Sequence, residues 1–366
     1  SAARRTVDGL EPAIALQTEA LALQRERLPA GDPRIGDTLQ GLAVLFEEAQ
    51  RYEDAERTHR EALAAMAAYG DRHPSVLRAK SHFAGLLDRI GKRDESKALF
   101  EEALAGQVRV FGEDGKDTAE THFHYGIFLS GMSDHAGAEA AYRKVIASGG
   151  ATPMLRAHAH RYLGIALTAQ QRFADAVAPL REAEAAYGQL FGPRDGQKFR
   201  AQANRGYAQS RAGEAVGVLV QREAIEGIGE AIGPEAYELI KPLLQLGMSE
   251  RDAGNARDAL AAHERALAIA TKAVGSDHAM AHEARYEIAR DALALDDAAA
   301  ARRARDDAGV LGAYLLASAQ LAAREGESAR ARREANEART LLLARNPPAR
   351  EIALEAERLL RTLPPR

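Results

Sequence analysis

The sequence contains no cysteine and no tryptophan, and aromatic residues occupy only 5% of its 366 positions. Without cysteine the chain has no disulfides, no thiol catalysis and no cysteine-ligated zinc. The absence of cysteine is compatible with both an oxidising periplasm and the cytosol, so it does not determine the cellular compartment. The longest uncharged run, residues 308–323, has sixteen residues, whereas a transmembrane helix needs about 20. We therefore expect no membrane insertion by this segment and interpret the run as a buried helix.

Neither sign of charge dominates the chain. Lysine and arginine total 49, aspartate and glutamate total 53, and the two signs are interleaved along most of the sequence. Nucleic-acid binding requires clustered basic residues, so we expect no nucleic-acid partner. The 46% hydrophobic content with few aromatics favours thin cores of alanine and leucine, as in helical repeats.

Small residues recur at a nearly fixed interval along the chain. One set would open the second helix of each copy, at Ala55, Ser96, Ala138, Ala176, Ala259, Ala301 and Ala331. A second set lies twelve positions earlier, at Ala43, Ala84, Gly126, Gly164, Gly247, Ala289 and Ala319. Antiparallel helices approach closely only where side chains are small, so the pattern predicts stacked helical hairpins.

The linkers between copies repeat as well. Gly70, Gly112, Gly192, Gly233 and Gly275 each follow a helical stretch, at spacings of 41 or 42 residues apart from one compressed interval after Gly112. Glycine just past a helix end and proline at the next helix start are the expected stop and start signals.

Two segments carry a family resemblance. Residues 39–45 read Leu-Gln-Gly-Leu-Ala-Val-Leu, and His73-Pro74 follows a linker glycine. These features resemble the tetratricopeptide repeat family, in particular its 42-residue variety found in kinesin light chains. The resemblance implies an all-α, right-handed α-solenoid of antiparallel helix pairs that binds proteins or peptides.

We predict one array over residues 1–366. It comprises a half repeat at 7–29, full repeats at 32–70, 71–112, 113–150, 151–192, 193–233, 234–275, 276–310 and 311–346, and a capping helix at 347–366. The repeat from 193 to 233 matches the pattern least well. Its Gly213, Gly217, Gly227 and Gly229 each weaken a helix by roughly 1 kcal/mol relative to alanine, so we hypothesise a bend or soft spot there.

The leading half repeat suggests a piece of a longer protein, because its apolar face would otherwise be exposed. The arrangement is similar to the C-terminal repeat regions of bacterial transmembrane Ser/Thr kinases, which implies an extracytoplasmic, periplasmic sensor region. Two alternatives stay open. One is a cytoplasmic scaffold or the repeat half of a transcription regulator, and the other is a peptide or small-molecule receptor.

First helices line the concave face of such an array. The predicted groove positions lie six and three places before the small residue of each first helix, and one, four and five after it. The predicted partner-binding residues are Phe123, Ile127, His158, Arg161, Arg200, Tyr207, Arg211, Lys241, Met248, Arg251, Tyr286 and Arg290. Arginine forks favour carboxylates and rings supply anchors, so we expect an acidic protein or peptide ligand.

We find no pattern that predicts catalysis, a cofactor or a metal. His278 and His282 are four residues apart and could share an ion, but a zinc site needs further ligands. The segment after Val110 resembles a phosphate loop superficially, yet it lacks the first glycine. No G-x-S-x-G elbow occurs, and no carboxylate pair stands out as acid and base. We expect a module that is not an enzyme.

Overall fold

The computed structural model describes residues 2–29, 31–295, 312, 315–316, 319–320, 323, 326–343 and 350–364. Over these residues every regular element is helical and no strand occurs. The chain divides into two compact units, an N-terminal unit of residues 1–171 and a C-terminal unit of residues 172–366. The predicted all-α class is therefore confirmed for the described part.

The N-terminal unit contains eight α-helices among its described residues. They are α1 (Ala2–Arg27), α2 (Pro33–Glu48), α3 (Tyr52–Ala65), α4 (Pro74–Arg89), α5 (Arg93–Phe111), α6 (Lys116–Gly131), α7 (His135–Ala147) and α8 (Pro153–Ala169). A 3₁₀ turn, Met66–Tyr69, extends α3. Helix α1 starts earlier than the predicted half repeat at residue 7, and it packs against α2.

The described part of the C-terminal unit also contains eight α-helices. They are α9 (Phe173–Phe191), α10 (Gly196–Arg211), α11 (Val216–Ile232), α12 (Ile240–Asp252), α13 (Ala256–Val274), α14 (Ala279–Ala294), α15 (Ser328–Leu343) and α16 (Arg350–Thr362). Most of residues 296–325, including most of the run at 308–323 and the junction of the last two predicted repeats, lies outside the described residues. The single array and its repeat bounds stay predictions.

The linker residues begin and end the helices as their chemistry requires. Gly70 and Gly112 follow helical segments with φ angles of 78° and 76°, a region that glycine enters without steric cost. His73 precedes Pro74 at the start of α4, and its Nδ1 accepts a hydrogen bond from the Ser75 backbone N–H at 3.2 Å. His278 caps α14 in the same way, because its Nδ1 accepts from the Met280 N–H at 3.2 Å.

The small residue of a first helix accommodates a large side chain of the second helix. A Cβ added to Gly126 would lie 2.6 Å from Cε1 of the Tyr142 ring, and one added to Gly247 would lie 2.5 Å from Cε1 of His263. Tyr142 and His263 are fully buried in these positions. The sequence period is therefore a packing period, as close-packed helix pairs require.

Two glycines of the poorly matching repeat also serve packing. Gly217 lies against the backbone of α10, where a Cβ would sit 2.5 Å from the Gly206 carbonyl oxygen. A Cβ on Gly227 would lie 2.5 Å from Cδ1 of the Phe199 ring. Helix α11 is continuous through both glycines. The hypothesised soft spot stays a prediction, but these residues have a close-packing role that helix propensity does not reveal.

Candidate functional site

The exposed stripe of the first helices differs from the one we predicted. Most positions three before the small residue are buried, as at Ser81, Ala203 and Leu244. The Ser81 and Thr121 hydroxyls, one repeat apart, are hydrogen-bonded at 2.9 Å. This position therefore faces the next first helix. The exposed stripe runs through positions six and two before the small residue, and one and five after it. That i, i+4, i+7, i+11 spacing follows one helix face.

Three predicted site residues are buried for this reason. Phe123, Arg161 and Tyr286 retain only 8%, 8% and 3% of their surface exposure, and all three lie three positions before the small residue of their helix. Their assignment to the open face is wrong, because a helix turns about 100° per residue and one step moves a side chain to the packed side.

An aromatic cluster forms around Phe123 in the N-terminal unit. The Phe123 ring meets Tyr162 edge-on at 5.4 Å, and it lies 6.1 Å from the half-buried His158 ring. The Arg161 guanidinium lies 4.6 Å from the centre of the Tyr162 ring, a favourable cation–π geometry. Ile127, by contrast, is exposed. The structure thus gathers Phe123, His158 and Arg161 and leaves Ile127 on the open face.

The predicted cations of the C-terminal unit are largely paired with carboxylates. Arg211 contacts Asp252 at 2.5 Å, one repeat further along. Arg251 is mostly buried between Glu287 at 2.5 Å and Asp291 at 2.7 Å.

Arg290 lies over the Tyr286 ring at 5.6 Å and 3.4 Å from Glu287. The Tyr286 hydroxyl donates to Glu355 of α16 at 2.7 Å. These contacts tie α10, α12, α14 and α16 together, so most of the predicted basic groove is neutralised within the unit.

The remaining predicted residues stay accessible in the same unit. Lys241 is exposed, and Arg200, Tyr207 and Met248 are half-buried. Lys241 makes no ion pair with any residue that the structure describes. Helix α10 packs against α12 and α12 against α14. Tyr207 and Met248 occupy equivalent positions on adjacent first helices.

Sequence reasoning missed the residues two positions before each small residue. These include His82, His124 and Tyr162 in the N-terminal unit and Asn204 and Gln245 in the C-terminal unit, all at least partly exposed. The signal that could have found them is the single-face spacing described above. We name the surface formed by Asn204, Tyr207, Lys241, Gln245 and Met248 the α10–α12 face.

Four histidines of the N-terminal unit have a lowered side-chain pKa. Desolvation by the surrounding protein lowers the pKa of His82, His122, His124 and His158. For His122, Lys144 lowers the pKa further, while Glu113 opposes the shift. The first helices therefore hold mostly neutral imidazoles near neutral pH.

We predict that acidification destabilises the N-terminal unit. Because the folded pKa values lie below the unfolded value of about 6.5, the unfolded chain binds protons first as the pH falls below 6.5, and stability decreases through this range. Amide exchange in α4, α6 and α8 is expected to accelerate between pH 7.5 and 5.5, after correction for intrinsic rates. The double variant His122→Gln/His124→Gln should show a weaker dependence, and exchange that slows on acidification would contradict the prediction.

Within the described residues, no group of three or more histidines, aspartates and glutamates is arranged to hold a metal ion. His278 instead caps α14, as described above. None of the described helices has the length and apolar character that a bilayer crossing requires.

Comparison with known proteins identifies the repeats. Tetratricopeptide repeat models match residues 37–107, 75–148 and 243–279. These segments belong to the tetratricopeptide repeat family, so the resemblance inferred from the sequence is confirmed. No curated protein matches the chain.

Solved structures share the helical-repeat fold of the described residues. The apo form of RapI superposes with a TM-score of 0.62 at 13% identity, covering 99% of both chains. Aspartyl phosphate phosphatase F from Bacillus subtilis gives a TM-score of 0.54 at 15% identity, over 99% of this chain and 91% of its own. TPR-like repeats of a putative kinesin light chain from Podospora anserina give 0.49 at 15% identity, over 54% and 96%. The first two superpositions confirm the helical-repeat fold of the described residues, and the repeats indicate protein–protein interaction.

Proposed function

We propose that the chain is a non-catalytic module that binds an extended segment of another polypeptide along the α10–α12 face. One observation carries the proposal. Asn204 and Gln245 stand at equivalent positions of adjacent first helices, and neither amide forms a hydrogen bond within the described residues. Tyr207 and Met248 repeat the same relation one turn further along.

The chemistry of this face suits a peptide backbone. A side-chain amide both donates and accepts hydrogen bonds, and an extended segment presents a peptide group about every 3.4 Å. Tyrosine and methionine supply adaptable apolar contact beside the amides. Arg211, Arg251 and Arg290 already contact carboxylates within the unit. We therefore expect the partner to need only one acidic group, a carboxylate opposite Lys241.

Loss of both amides should weaken binding. We would select peptides from a random phage-displayed library against the full chain and titrate them by fluorescence anisotropy. Each net hydrogen bond is worth about 0.5–1.5 kcal/mol, so Asn204→Ala/Gln245→Ala should raise the Kd about tenfold to a hundredfold. Gln189→Ala removes an exposed amide of α9 and should leave the Kd unchanged. An unchanged Kd of the selected peptides for the double variant would refute the proposed face.

The proposal extends to the cellular setting. The module would be the extracytoplasmic sensor or interaction region of a larger bacterial signalling protein such as a transmembrane Ser/Thr kinase, as the family resemblance suggests. A cytoplasmic scaffold or regulator, or a peptide or small-molecule receptor, are the alternatives. The full-length gene sequence tests this directly, because a kinase followed by a membrane span supports the sensor and a DNA-binding domain supports the regulator.

A further inference from the structure

One buried cation of the N-terminal unit has no carboxylate partner. Arg161 of α8 is only 8% exposed, yet it forms no ion pair and no hydrogen bond with any residue that the structure describes. Its Nε atom is buried and unpaired. Burying a guanidinium is costly unless a counter-charge and hydrogen-bond acceptors accompany it. Packing alone therefore does not account for an arginine at this position.

Lys80 shows how a buried cation is accommodated elsewhere in the same unit. It has the same 8% exposure, and its Nζ atom lies 2.7 Å from the Glu102 carboxylate. The buried carboxylate of Glu250, in the C-terminal unit, is likewise 2.6 Å from Arg222. At these positions the chain compensates its own buried charge. At Arg161 the described residues supply no such compensation.

Aromatic rings surround the Arg161 guanidinium. It lies 4.6 Å from the centre of the Tyr162 ring, and that ring lies 5.4 Å from Phe123 and 5.8 Å from Tyr142. Tyr162 is half-buried and belongs to the exposed stripe of the first helices, so the guanidinium adjoins a ring that is accessible from the open face. A cation–π contact offsets only part of the desolvation cost of a cation. The rings therefore orient the guanidinium without neutralising it.

The charge of Arg161 influences ionisable groups on two helices. Desolvation lowers the pKa of His158 on α8, and Arg161 lowers it further. Burial raises the pKa of Tyr142 on α7, and Arg161 acts in the opposite direction. Both effects are those of a nearby positive charge. An anion bound beside Arg161 would weaken both of them.

We propose that Arg161 binds the carboxylate of a ligand whose adjoining group is aromatic or apolar, and that the ligand enters from the open face beside Tyr162. A guanidinium presents paired N–H donors that match the two oxygens of a carboxylate. One cation balances one negative charge, which favours a carboxylate over a phosphate group that carries nearly two. Phe123 and the exposed Ile127, one turn further along α6, supply apolar contact for the adjoining group. The site does not depend on the α10–α12 face.

Binding can be measured on the full chain with phenylpropionate as the probe and phenylpropionamide as its neutral control. The ring resonances of His158, assigned by comparison with His158→Gln, follow the titration by NMR. The acid should raise the pKa of His158, because an anion beside Arg161 offsets the charge that lowers it, and the amide should leave it unchanged. Arg161→Met should raise the Kd of the acid at least tenfold, since charge-assisted hydrogen bonds are lost.

The stability of the variants without ligand separates a binding role of Arg161 from a structural one. Methionine removes the buried charge and keeps an apolar stem, so Arg161→Met should unfold at a urea concentration no lower than the parent. Arg156→Met is the matched control on α8, because Arg156 donates to the carbonyl oxygens of Ser148 and Ala151 at 3.0 and 3.4 Å. This control should unfold at lower urea and leave the Kd of the acid unchanged.

A second pair of probes distinguishes the sources of the carboxylate. Acetylglycylphenylalanine with a free carboxylate represents a polypeptide end, and its C-terminal amide is the control. A lower Kd for this peptide than for phenylpropionate would assign the site to a polypeptide end, and the reverse order would assign it to a small carboxylic acid; both results support a carboxylate site.

Four results would overturn the proposal. They are no response to either acid, equal binding of the acids and their amides, tighter binding of inorganic phosphate than of the acids, and a loss of stability in Arg161→Met as large as that in Arg156→Met.

Discussion

Replacing Asp291 with alanine is expected to lower the free energy of unfolding by about 3–5 kcal/mol, the range for breaking a buried charged network. The Asp291 carboxylate is completely buried on α14. It lies 2.5 Å from Nδ1 of His263 and accepts from Arg251 at 2.7 Å. Asp291 therefore links three helices, α12, α13 and α14, through one side chain.

The Asp291→Ala variant would leave the buried His263 imidazole without one of its hydrogen-bond partners. The other His263 nitrogen, Nε2, lies 3.1 Å from the carbonyl oxygen of Leu244, and an oxygen acceptor requires an N–H on that nitrogen. With Asp291 removed, Nδ1 loses its partner in a site that water does not reach, and a buried unsatisfied group carries the full desolvation cost. Arg251 would keep Glu287.

Urea denaturation followed by circular dichroism measures this effect. The transition involving the C-terminal unit should move to lower urea, and amide exchange in α12, α13 and α14 should accelerate. Lys272→Ala is the control, because Lys272 and its partner Glu235 are 71% and 63% exposed and such pairs contribute about 0–1 kcal/mol. A loss no larger than that of the control would contradict the central role of Asp291.

The repeat architecture was accessible from sequence because its cause is local. Small residues twelve positions apart mark the contact between the two helices of one hairpin, and this contact involves neighbours in the chain. Gly126 and Gly247 illustrate it, since each receives a ring from its own hairpin. The linker glycines and histidine caps are equally local. These local features are sufficient to predict the helix pairs from the sequence.

The candidate site was less accessible because its determinants are distant in sequence. The carboxylates that neutralise Arg211 and Arg251 lie 36 to 41 residues away, so the sequence displayed the cations without their partners. The register of the exposed stripe also depends on which face the next repeat covers. An error of one residue placed Phe123 and Tyr286 on the open face and overlooked Asn204 and Gln245.

In the poorly matching repeat, the role of Gly217 could not be predicted from the sequence pattern either. The pattern of small residues twelve apart fails there because Gly206 and Gly217 are eleven apart. Helix propensity then treats Gly217 as a weakness, since glycine in a helix costs about 1 kcal/mol relative to alanine. The contact geometry instead indicates that Gly217 stabilises the packing of α10 and α11. Helix propensity and contact geometry therefore predict opposite effects on stability when Gly217 is replaced with alanine.

Gly217→Ala should therefore destabilise the protein by about 1–3 kcal/mol, the usual cost of overpacking. The new methyl group would meet backbone atoms of α10, including the Gly206 carbonyl oxygen at 2.5 Å and Ser210 Cα at 2.8 Å. Backbone atoms cannot rotate away as a flexible side chain can, so α10 and α11 would have to separate. Urea denaturation measures the change in the unfolding midpoint.

Gly229→Ala provides a control on the same helix. A Cβ there finds only the Pro234 Cα, at an ordinary 3.7 Å, so alanine should stabilise α11 by about 0.4–1 kcal/mol through its lower unfolded-state entropy. Opposite signs for two glycine-to-alanine changes twelve residues apart would establish that close approach, and not flexibility, retains glycine at position 217. Stabilisation by both changes would mean that α11 is limited by helix propensity after all, as the sequence alone suggested.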